Sequence, residues 1–128
     1  MATYKPIWQL QADSGTITYQ DVSYTSTHTV EIDEPIADAQ TDQEITLAID
    51  ISAVKAFFLV SDQALTVEGN DSVGVAGSVT LVANVPYTWT TDTYDTFKFT
   101  ADLTSIFVTN ASGATANLQL RCLQDASP

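Results

Sequence analysis

The stretch that decides the fold is residues 54–69, which read Val-Lys-Ala-Phe-Phe-Leu-Val-Ser-Asp-Gln-Ala-Leu-Thr-Val-Glu-Gly. Its first half is an almost unbroken run of apolar residues, with β-branched and aromatic side chains among them. The run is too short for a typical helix and too apolar to keep one face in water, so it predicts a central strand buried on both faces. After the polar residues 61–63, residues 65–68 alternate apolar and polar side chains. They predict a second strand that forms a hairpin with the first.

Strand patterns continue on both sides of this stretch. The further segments that predict strands are residues 28–32, 45–51, 79–83, 86–90, 103–109 and 116–123. Alternation is clearest in 45–51, which indicates one face in the core and one in water. Pro86 restricts its segment to a sheet edge or a strand start. The last two segments flank turn-forming residues at 110–113 and predict a closing hairpin.

These patterns define the fold class and the organisation of the chain. Eight or nine strands without a helical period predict an all-β, antiparallel two-sheet sandwich, either a jelly roll or immunoglobulin-like. Residues 1–26 are polar and carry too little apolar surface for a core, so we interpret them as an extended arm with one or two short edge strands. The sandwich is predicted to span 27–123. Residues 124–128 are expected to form a disordered tail.

Charge limits the classes of partner. Sixteen acidic and four basic residues give the chain a net charge of −12. Phosphate binding needs clustered Lys and Arg, so nucleic acid and anionic membranes are not expected as partners. The N-terminal residues lack the apolar core of a signal peptide, and no apolar run reaches the ~20 residues of a membrane span. We therefore expect synthesis and folding in a reducing cytoplasm.

The side chains that catalysis requires are sparse. His28 is the only histidine, and Cys122 is the only cysteine and lies in an apolar alternation. No zinc spacing, phosphate-binding glycine loop or Gly-x-Ser-x-Gly motif is present, so we predict a protein that is not an enzyme and has no cofactor or metal site. Two alternatives stay open: an acid-base pair such as Asp92 with Asp95, and loop calcium ligands, at those two residues or at another set. That other set is Asp62, Asn70 and Asp71.

Four aromatic residues offer a second kind of site. Trp8, Tyr87, Trp89 and Tyr94 could form a platform for a sugar ring, although aromatic residues two apart in a β-protein more often pack in a core or at a subunit contact. The aromatic residues of the polar connection 91–102 are expected to fold back onto the core as a lid. They are Tyr94, Phe97 and Phe99.

The order of motifs from residue 44 to residue 123 resembles small structural proteins of tailed bacteriophages, in particular head decoration (cement) proteins. The matching segments are Ala-Ile-Asp-Ile-Ser-Ala-Val-Lys-Ala-Phe-Phe-Leu-Val-Ser-Asp (48–62), Thr-Val-Glu-Gly-Asn (66–70), Pro-Tyr-Thr-Trp (86–89), Phe-Val-Thr-Asn-Ala-Ser-Gly (107–113) and Leu-Gln-Leu-Arg (118–121). They are strand and turn residues and include no catalytic signature.

The resemblance implies a non-enzymatic virion subunit, made in the host cytoplasm, that binds the outer surface of the capsid. Such subunits often form homotrimers and stabilise the joints between major capsid proteins. The alternatives are a tail or baseplate component and a carbohydrate-binding β-sandwich module.

Our own prediction for the contact residues combines the arm with an edge strand. The predicted capsid or subunit contacts are Tyr4, Ile7, Trp8, Leu10, Tyr87 and Trp89. An arm of this kind would add its strand to a neighbour's exposed sheet edge, with apolar anchors alongside the backbone hydrogen bonds.

Overall fold

The computed structural model describes residues 2–19 and 23–125. Its regular structure is a series of β-strands and one short 3₁₀ turn at Ile51–Ala53. In chain order the strands are β1 (Ala2–Tyr4), β2 (Trp8–Ala12), β3 (Gly15–Tyr19), β4 (Tyr24–Ser26), β5 (His28–Ile36), β6 (Gln43–Ile49), β7 (Val54–Ser61), β8 (Leu65–Gly69), β9 (Ser78–Leu81), β10 (Tyr87–Thr90), β11 (Leu103–Thr109) and β12 (Ala116–Gln124). None of the described residues forms a helix long and apolar enough to cross a membrane.

Eight of the strands form a sandwich of two antiparallel sheets, which confirms the predicted fold class. Sheet I has the strand order β10-β7-β12-β5, and sheet II has the order β6-β11-β8-β9. The side chains between the two sheets form one large hydrophobic cluster. Burial of this cluster is the main source of stability, since apolar surface removed from water contributes about 25 cal/mol per Å².

The connections identify the sandwich as a jelly roll. Each strand from β6 to β12 lies in the opposite sheet from its predecessor, with the single exception of β9, which pairs with β8. In an immunoglobulin-like sandwich, several pairs of consecutive strands are neighbours in one sheet. The alternating order is that of a double-sheet jelly roll.

The predictions of a central hairpin and of a closing hairpin are both wrong. β7 lies in sheet I and β8 in sheet II, and β12 and β11 are divided between the sheets in the same way. Their connections span the distance between packed sheets, about 10 Å, and do not turn back within one sheet. A strand shows the same alternation of apolar and polar side chains whether the chain turns back within one sheet or crosses to the other sheet. The reason is that alternation indicates only which face of a strand meets the core. The sequence therefore located the strands but not their partners.

Strand β7 is central in sheet I, but only one of its faces is fully buried. Phe57 and Leu59 point into the core, whereas Phe58 on the opposite face is 40% exposed. Ala56, on the same face as Phe58, is buried beneath residues of the N-terminal segment. Water and the N-terminal segment share this outer face, so the prediction of burial on both faces holds for only part of the strand.

The connection between β10 and β11 covers the open end of the sandwich core. Phe97 and Phe99 fold back and are buried against Phe57, with ring centroids 5.0 and 5.9 Å from that residue. These two residues confirm the predicted lid. Tyr94 does not belong to it, because its side chain is fully exposed.

The N-terminal segment contains more strands than predicted. β1 pairs with β4, and β2 pairs with β3, so residues 2–19 and 23–26 contain two antiparallel strand pairs rather than an arm with one or two strands, and we call these residues the ribbon. We call β1 and β4 the root pair, and β2 and β3 the distal hairpin.

Strand β12 extends one residue beyond the predicted end of the sandwich at residue 123. Gln124 is its last residue and is buried, donating to Ala48 O at 3.0 Å and accepting from Asp50 N at 2.9 Å. The predicted disordered tail therefore does not include Gln124. Residues 126–128 of that tail lie outside the described part of the chain.

Candidate interaction surface

The distal hairpin is built by alternation and a tight turn. Ala12 pairs with Gly15, so only Asp13 and Ser14 connect the two strands, and Gly15 adopts a φ of +145° that a residue without Cβ accepts readily. The opposed pairs are Trp8 with Tyr19, Gln9 with Thr18, Leu10 with Ile17 and Gln11 with Thr16.

Alternation makes the hairpin amphipathic. Leu10 and Ile17 face each other across the two strands and lie with Trp8 on one surface, where their exposed fractions are 64, 57 and 48%. Gln9 and Thr18 occupy the opposite face, where a side-chain hydrogen bond of 3.4 Å joins them. Contiguous apolar patches that are exposed on a protein surface commonly mark interaction sites.

The edges of the hairpin lack the features that protect other edges of the molecule. β5, an edge strand of sheet I, carries Glu31, Asp33, Glu34 and Pro35, and Pro86 precedes the other edge strand, β10. Charges and proline discourage strand addition. β2 and β3 contain neither a charged residue nor proline, so their outer edges are open to another strand.

Charge separates the ribbon from the rest of the chain. Residues 2–19 carry one cation, Lys5, and one carboxylate, Asp13, so this segment is neutral. Residues 23–125 carry 14 of the 16 acidic side chains and three of the four cations, a net charge of −11. Residues 2–19 can therefore approach another acidic surface with less repulsion than the sandwich can, and Asp21 is the one further charged residue of the N-terminal segment.

The root pair fixes the ribbon to the outer face of sheet I. Tyr24 is buried with Ala56 and Leu123, and its hydroxyl donates to Asp92 Oδ2 at 2.7 Å and lies 3.1 Å from Thr90 Oγ1. Burial raises the pKa of the Tyr24 phenol, and its contact with Asp92 acts in the same direction. Ser26 anchors the end of β4 by donating to Gln124 O at 2.8 Å.

Tyr4 lies in β1 and joins the root pair to sheet I. Its ring packs against the small cluster around Tyr24, and its hydroxyl donates to Glu31 Oε1 at 3.1 Å. Burial, together with this hydrogen bond, raises the pKa of Tyr4 to about 12. Tyr4 therefore keeps its proton at neutral pH and helps to hold the ribbon in place.

A cleft of about 390 Å³ lies between the ribbon and the outer face of sheet I. Its aromatic walls are Tyr4, Trp8 and Phe58, and its charged residues are Lys5, Arg121 and Glu31. Arg121 is held by a bidentate ion pair with Asp33, with both N–O distances 3.0 Å. Trp8 borders both this cleft and the apolar face of the distal hairpin, so the two form one continuous surface.

The predicted contact residues divide into two groups. Tyr4, Ile7, Trp8 and Leu10 all lie on the ribbon, and Ile7 is exposed between the root pair and the distal hairpin. The other two, in β10, are half-buried and lie on the core side of sheet I, because their register partners are the inward-facing residues of β7. They are Tyr87 and Trp89.

The two aromatic residues of β10 serve the core. Trp89 stacks on Phe97 with ring centroids 4.8 Å apart, and its Nε1 donates to Asp95 O at 3.0 Å. Tyr87 also stacks on Phe97, at 6.2 Å, and its hydroxyl accepts from Lys98 N at 3.0 Å. Their ring faces are therefore engaged inside the protein. The structure does not bring them together with Trp8 into the platform considered for a sugar ring.

The residues considered for metal or acid-base chemistry have other contacts. Asp62 accepts from Asn117 N at 2.8 Å, whereas Asn70 lies at the other end of β8 and accepts from Thr104 N. Asp71 accepts from Val73 N within its own loop at 3.0 Å. No group of three or more His, Cys, Asp or Glu side chains in residues 2–19 and 23–125 is placed to hold a metal ion.

Cys122 faces the core of the sandwich. Burial raises the pKa of its thiol to about 12, so the reactive thiolate is not formed at neutral pH. The residue packs as a small apolar side chain, as its alternation in the sequence predicts.

Two residues of the surface were missed as contact candidates. Phe58 faces out of sheet I into the cleft, and Ile17 completes the apolar face of the hairpin. Ile17 lies in an alternating segment, which is a signal in the sequence. Phe58 lies in the apolar run of β7, where only the tertiary structure identifies the face that meets solvent.

Comparisons with protein-family models, with curated proteins and with solved structures found no match to this chain.

Proposed function

We propose that this protein is a non-enzymatic structural subunit of a virion, a decoration or cement protein that attaches to the outer surface of the capsid. In this proposal the distal hairpin contacts the major capsid protein. The observation that carries it is the hairpin itself, which combines an exposed apolar face with unprotected edges and has a single charged side chain, Asp13 in its turn, in a strongly acidic protein. These are the features of a strand-addition element.

The strongly acidic sandwich and the hairpin, which has one charged residue, suit different parts of this role. An outward-facing sandwich with a net charge of −11 stays soluble and does not bind nucleic acid. The hairpin can approach a protein surface, where its backbone hydrogen bonds fix direction and Leu10 with Ile17 provide apolar anchors. The sequence resemblance to phage head proteins supplies the identity of the partner.

The geometry gives less support to one of the two sequence alternatives, the carbohydrate-binding module, and the resemblance to head proteins favours the decoration role over the other. A tail or baseplate component would use the same hairpin against a different virion protein. A carbohydrate-binding module would need accessible aromatic ring faces, yet Tyr87 and Trp89 stack on Phe97. The decoration role is therefore the one that we propose.

The decisive experiment is co-sedimentation of the purified protein with capsids of the source virus. We expect the wild-type chain to pellet in a fixed ratio to the major capsid protein. The double variant Leu10→Ser/Ile17→Ser removes the apolar face of the hairpin and should stay in the supernatant. Since both residues are exposed, this variant should remain folded.

The matched control is Gln11→Ser/Thr16→Ser. It changes the neighbouring opposed pair on the other face of the same hairpin. The control should pellet like the wild type. Wild-type protein that ignores capsids would refute the decoration role, and equal pelleting of both double variants would refute the role of the apolar face.

A further inference from the structure

Tyr94 is a large aromatic side chain held in water by an ordered turn. It is fully exposed, between Asp92 and Asp95. The turn is fixed at both ends, because Thr93 N donates to Thr90 O at 3.0 Å and Trp89 Nε1 donates to Asp95 O at 3.0 Å. A rigid presentation of this kind lowers the entropy lost on binding. Tyr94 therefore has the character of a preformed anchor.

The cleft between the ribbon and sheet I has properties that complement an aromatic anchor. It offers the aromatic side chains Trp8 and Phe58, and two of the four cations of the chain lie on its walls. Of these, Arg121 is paired with Asp33, and Lys5 makes no ion pair among the described residues. The volume of about 390 Å³ falls within the range of pockets that hold small ligands, roughly 300–1,000 Å³. A tyrosine ring fits a space of this size.

We propose that this cleft receives Tyr94 of a second copy of the same chain, with the carboxylate of Asp95 beside Lys5. Charge complementarity is the reason for choosing a second copy of the chain as the occupant of the cleft. Most contacts between two copies would bring acidic surfaces together, whereas the cleft has two cations, Lys5 and Arg121, and one carboxylate, Glu31, to set against a turn that carries carboxylates. Burial of one tyrosine removes roughly 150–250 Å² from water.

In the proposed arrangement the Tyr94 turn of each copy enters the cleft of the next copy, which makes the contact heterologous. Repetition of a heterologous contact generates a closed ring when the rotation between copies closes. A homotrimer is the smallest such ring. The inference goes beyond the proposed function, because it adds a contact between copies that capsid binding through the hairpin does not require.

The first test is the oligomeric state of the isolated full-length chain, measured by light scattering over a dilution series. The wild type should form a defined oligomer. Tyr94→Ser should raise the dissociation constant of the oligomer by at least about 30-fold, as expected for the loss of an aromatic hot spot. The matched control Val82→Ser also removes an exposed apolar side chain, in the β9–β10 connection, and should leave the oligomer unchanged. An oligomer that survives Tyr94→Ser overturns the inference.

A charge exchange tests the pairing of Lys5 with Asp95. Lys5→Glu and Asp95→Lys should each weaken the oligomer, because each places two like charges in contact. The double variant Lys5→Glu/Asp95→Lys restores an opposite pair and should recover much of the affinity. Failure of the double variant to recover any affinity overturns this pairing.

Capsid pelleting separates this inference from the proposed function. The hairpin variant Leu10→Ser/Ile17→Ser should remain oligomeric and fail to pellet, whereas Tyr94→Ser should be monomeric. A wild-type monomer that still decorates capsids would overturn the contact between copies and leave the decoration role intact. A wild-type oligomer that is dispersed by Tyr94→Ser but never binds capsids supports the contact and refutes the decoration role.

Discussion

The sandwich and the distal hairpin follow the same sequence rule with opposite results. In β12, the inward positions of the alternation are buried, and Leu118 and Leu120 lie in the core between the two sheets. In β2, all five residues are exposed, although Trp8 and Leu10 alternate with Gln9 and Gln11 in the same way. Alternation produces an apolar face, but only a neighbouring layer buries it. No layer among the described residues covers the apolar face of the hairpin. This is the physical reason for proposing that a partner protein covers it.

The largest difference should appear when one leucine is truncated in each region. Leu59→Ala creates a cavity between the sheets and should lower the free energy of unfolding by about 2–5 kcal/mol. Leu10→Ala removes the same atoms from an exposed face and should change it by no more than about 0.5 kcal/mol. Urea unfolding followed by tryptophan fluorescence measures both. Similar losses for the two variants would mean that the hairpin packs on the sandwich.

A pair of glycines provides the next comparison. A Cβ at Gly77 would lie 2.1 Å from Lys98 O, and the residue has a φ of +100°. Gly77→Ala should therefore destabilise the sandwich by at least the roughly 1–3 kcal/mol of backbone strain.

Gly15 has the matching position in the hairpin turn. Its φ is also positive, but a Cβ added there would meet no atom within 4 Å among the described residues beyond its chain neighbours. Gly15→Ala should loosen the hairpin and leave the unfolding midpoint of the sandwich unchanged in thermal denaturation. If Gly15→Ala destabilised the sandwich as much as Gly77→Ala does, the hairpin and the sandwich would unfold as one cooperative unit.

The boundary between the two regions is testable at Tyr24. Tyr24→Phe removes the hydroxyl that donates to Asp92, which should cost about 0.5–1.5 kcal/mol. Because this bond fixes the root pair to sheet I, hydrogen exchange should accelerate in β1 and β4 more than in β7 or β12. Uniform acceleration throughout the sandwich would show that the root pair is an integral part of the core.

The smallest effect concerns pH and a single surface carboxylate of the sandwich. The hydrogen bonds from the Asn117 backbone and side chain hold the pKa of Asp62 below its ordinary value of 3.8. Folding therefore gains stability from the ionised carboxylate above about pH 4, and this gain is lost as the pH falls through the lower folded pKa. The difference in unfolding free energy between wild type and Asp62→Asn should shrink below pH 4.

Asn117→Ala is the control for this pH dependence. It removes the side-chain donor to Asp62 and should reduce the difference between wild type and Asp62→Asn at neutral pH. A difference that stays constant from pH 7 to pH 3 would contradict the role of the ionised carboxylate.

The sequence by itself determined the all-β class, the positions of most sandwich strands and, where apolar and polar residues alternate, the face that meets the core. These properties depend on neighbouring residues along one strand, where the period of two in side-chain direction is local. The alternation of 45–51 predicted β6, although Ile51 begins the 3₁₀ turn and lies outside the strand. The polar character of the N-terminal segment was also recognised, and Trp8 and Leu10, which the structure leaves exposed, were among its predicted contact residues.

Only the tertiary structure decided which strands are neighbours and which aromatic residues are accessible. Residues 110–113 indicate a turn, yet Asn110 is fully buried and its side-chain amide donates to Ile36 O at 3.0 Å and to Ala114 O at 2.8 Å, which fixes a crossing between sheets. Tyr94 and Phe97 lie in one polar segment, and one is exposed while the other is buried. Pairing and burial depend on residues distant in sequence, because a strand's hydrogen-bonding partners and the layer over its face are contributed by other parts of the chain.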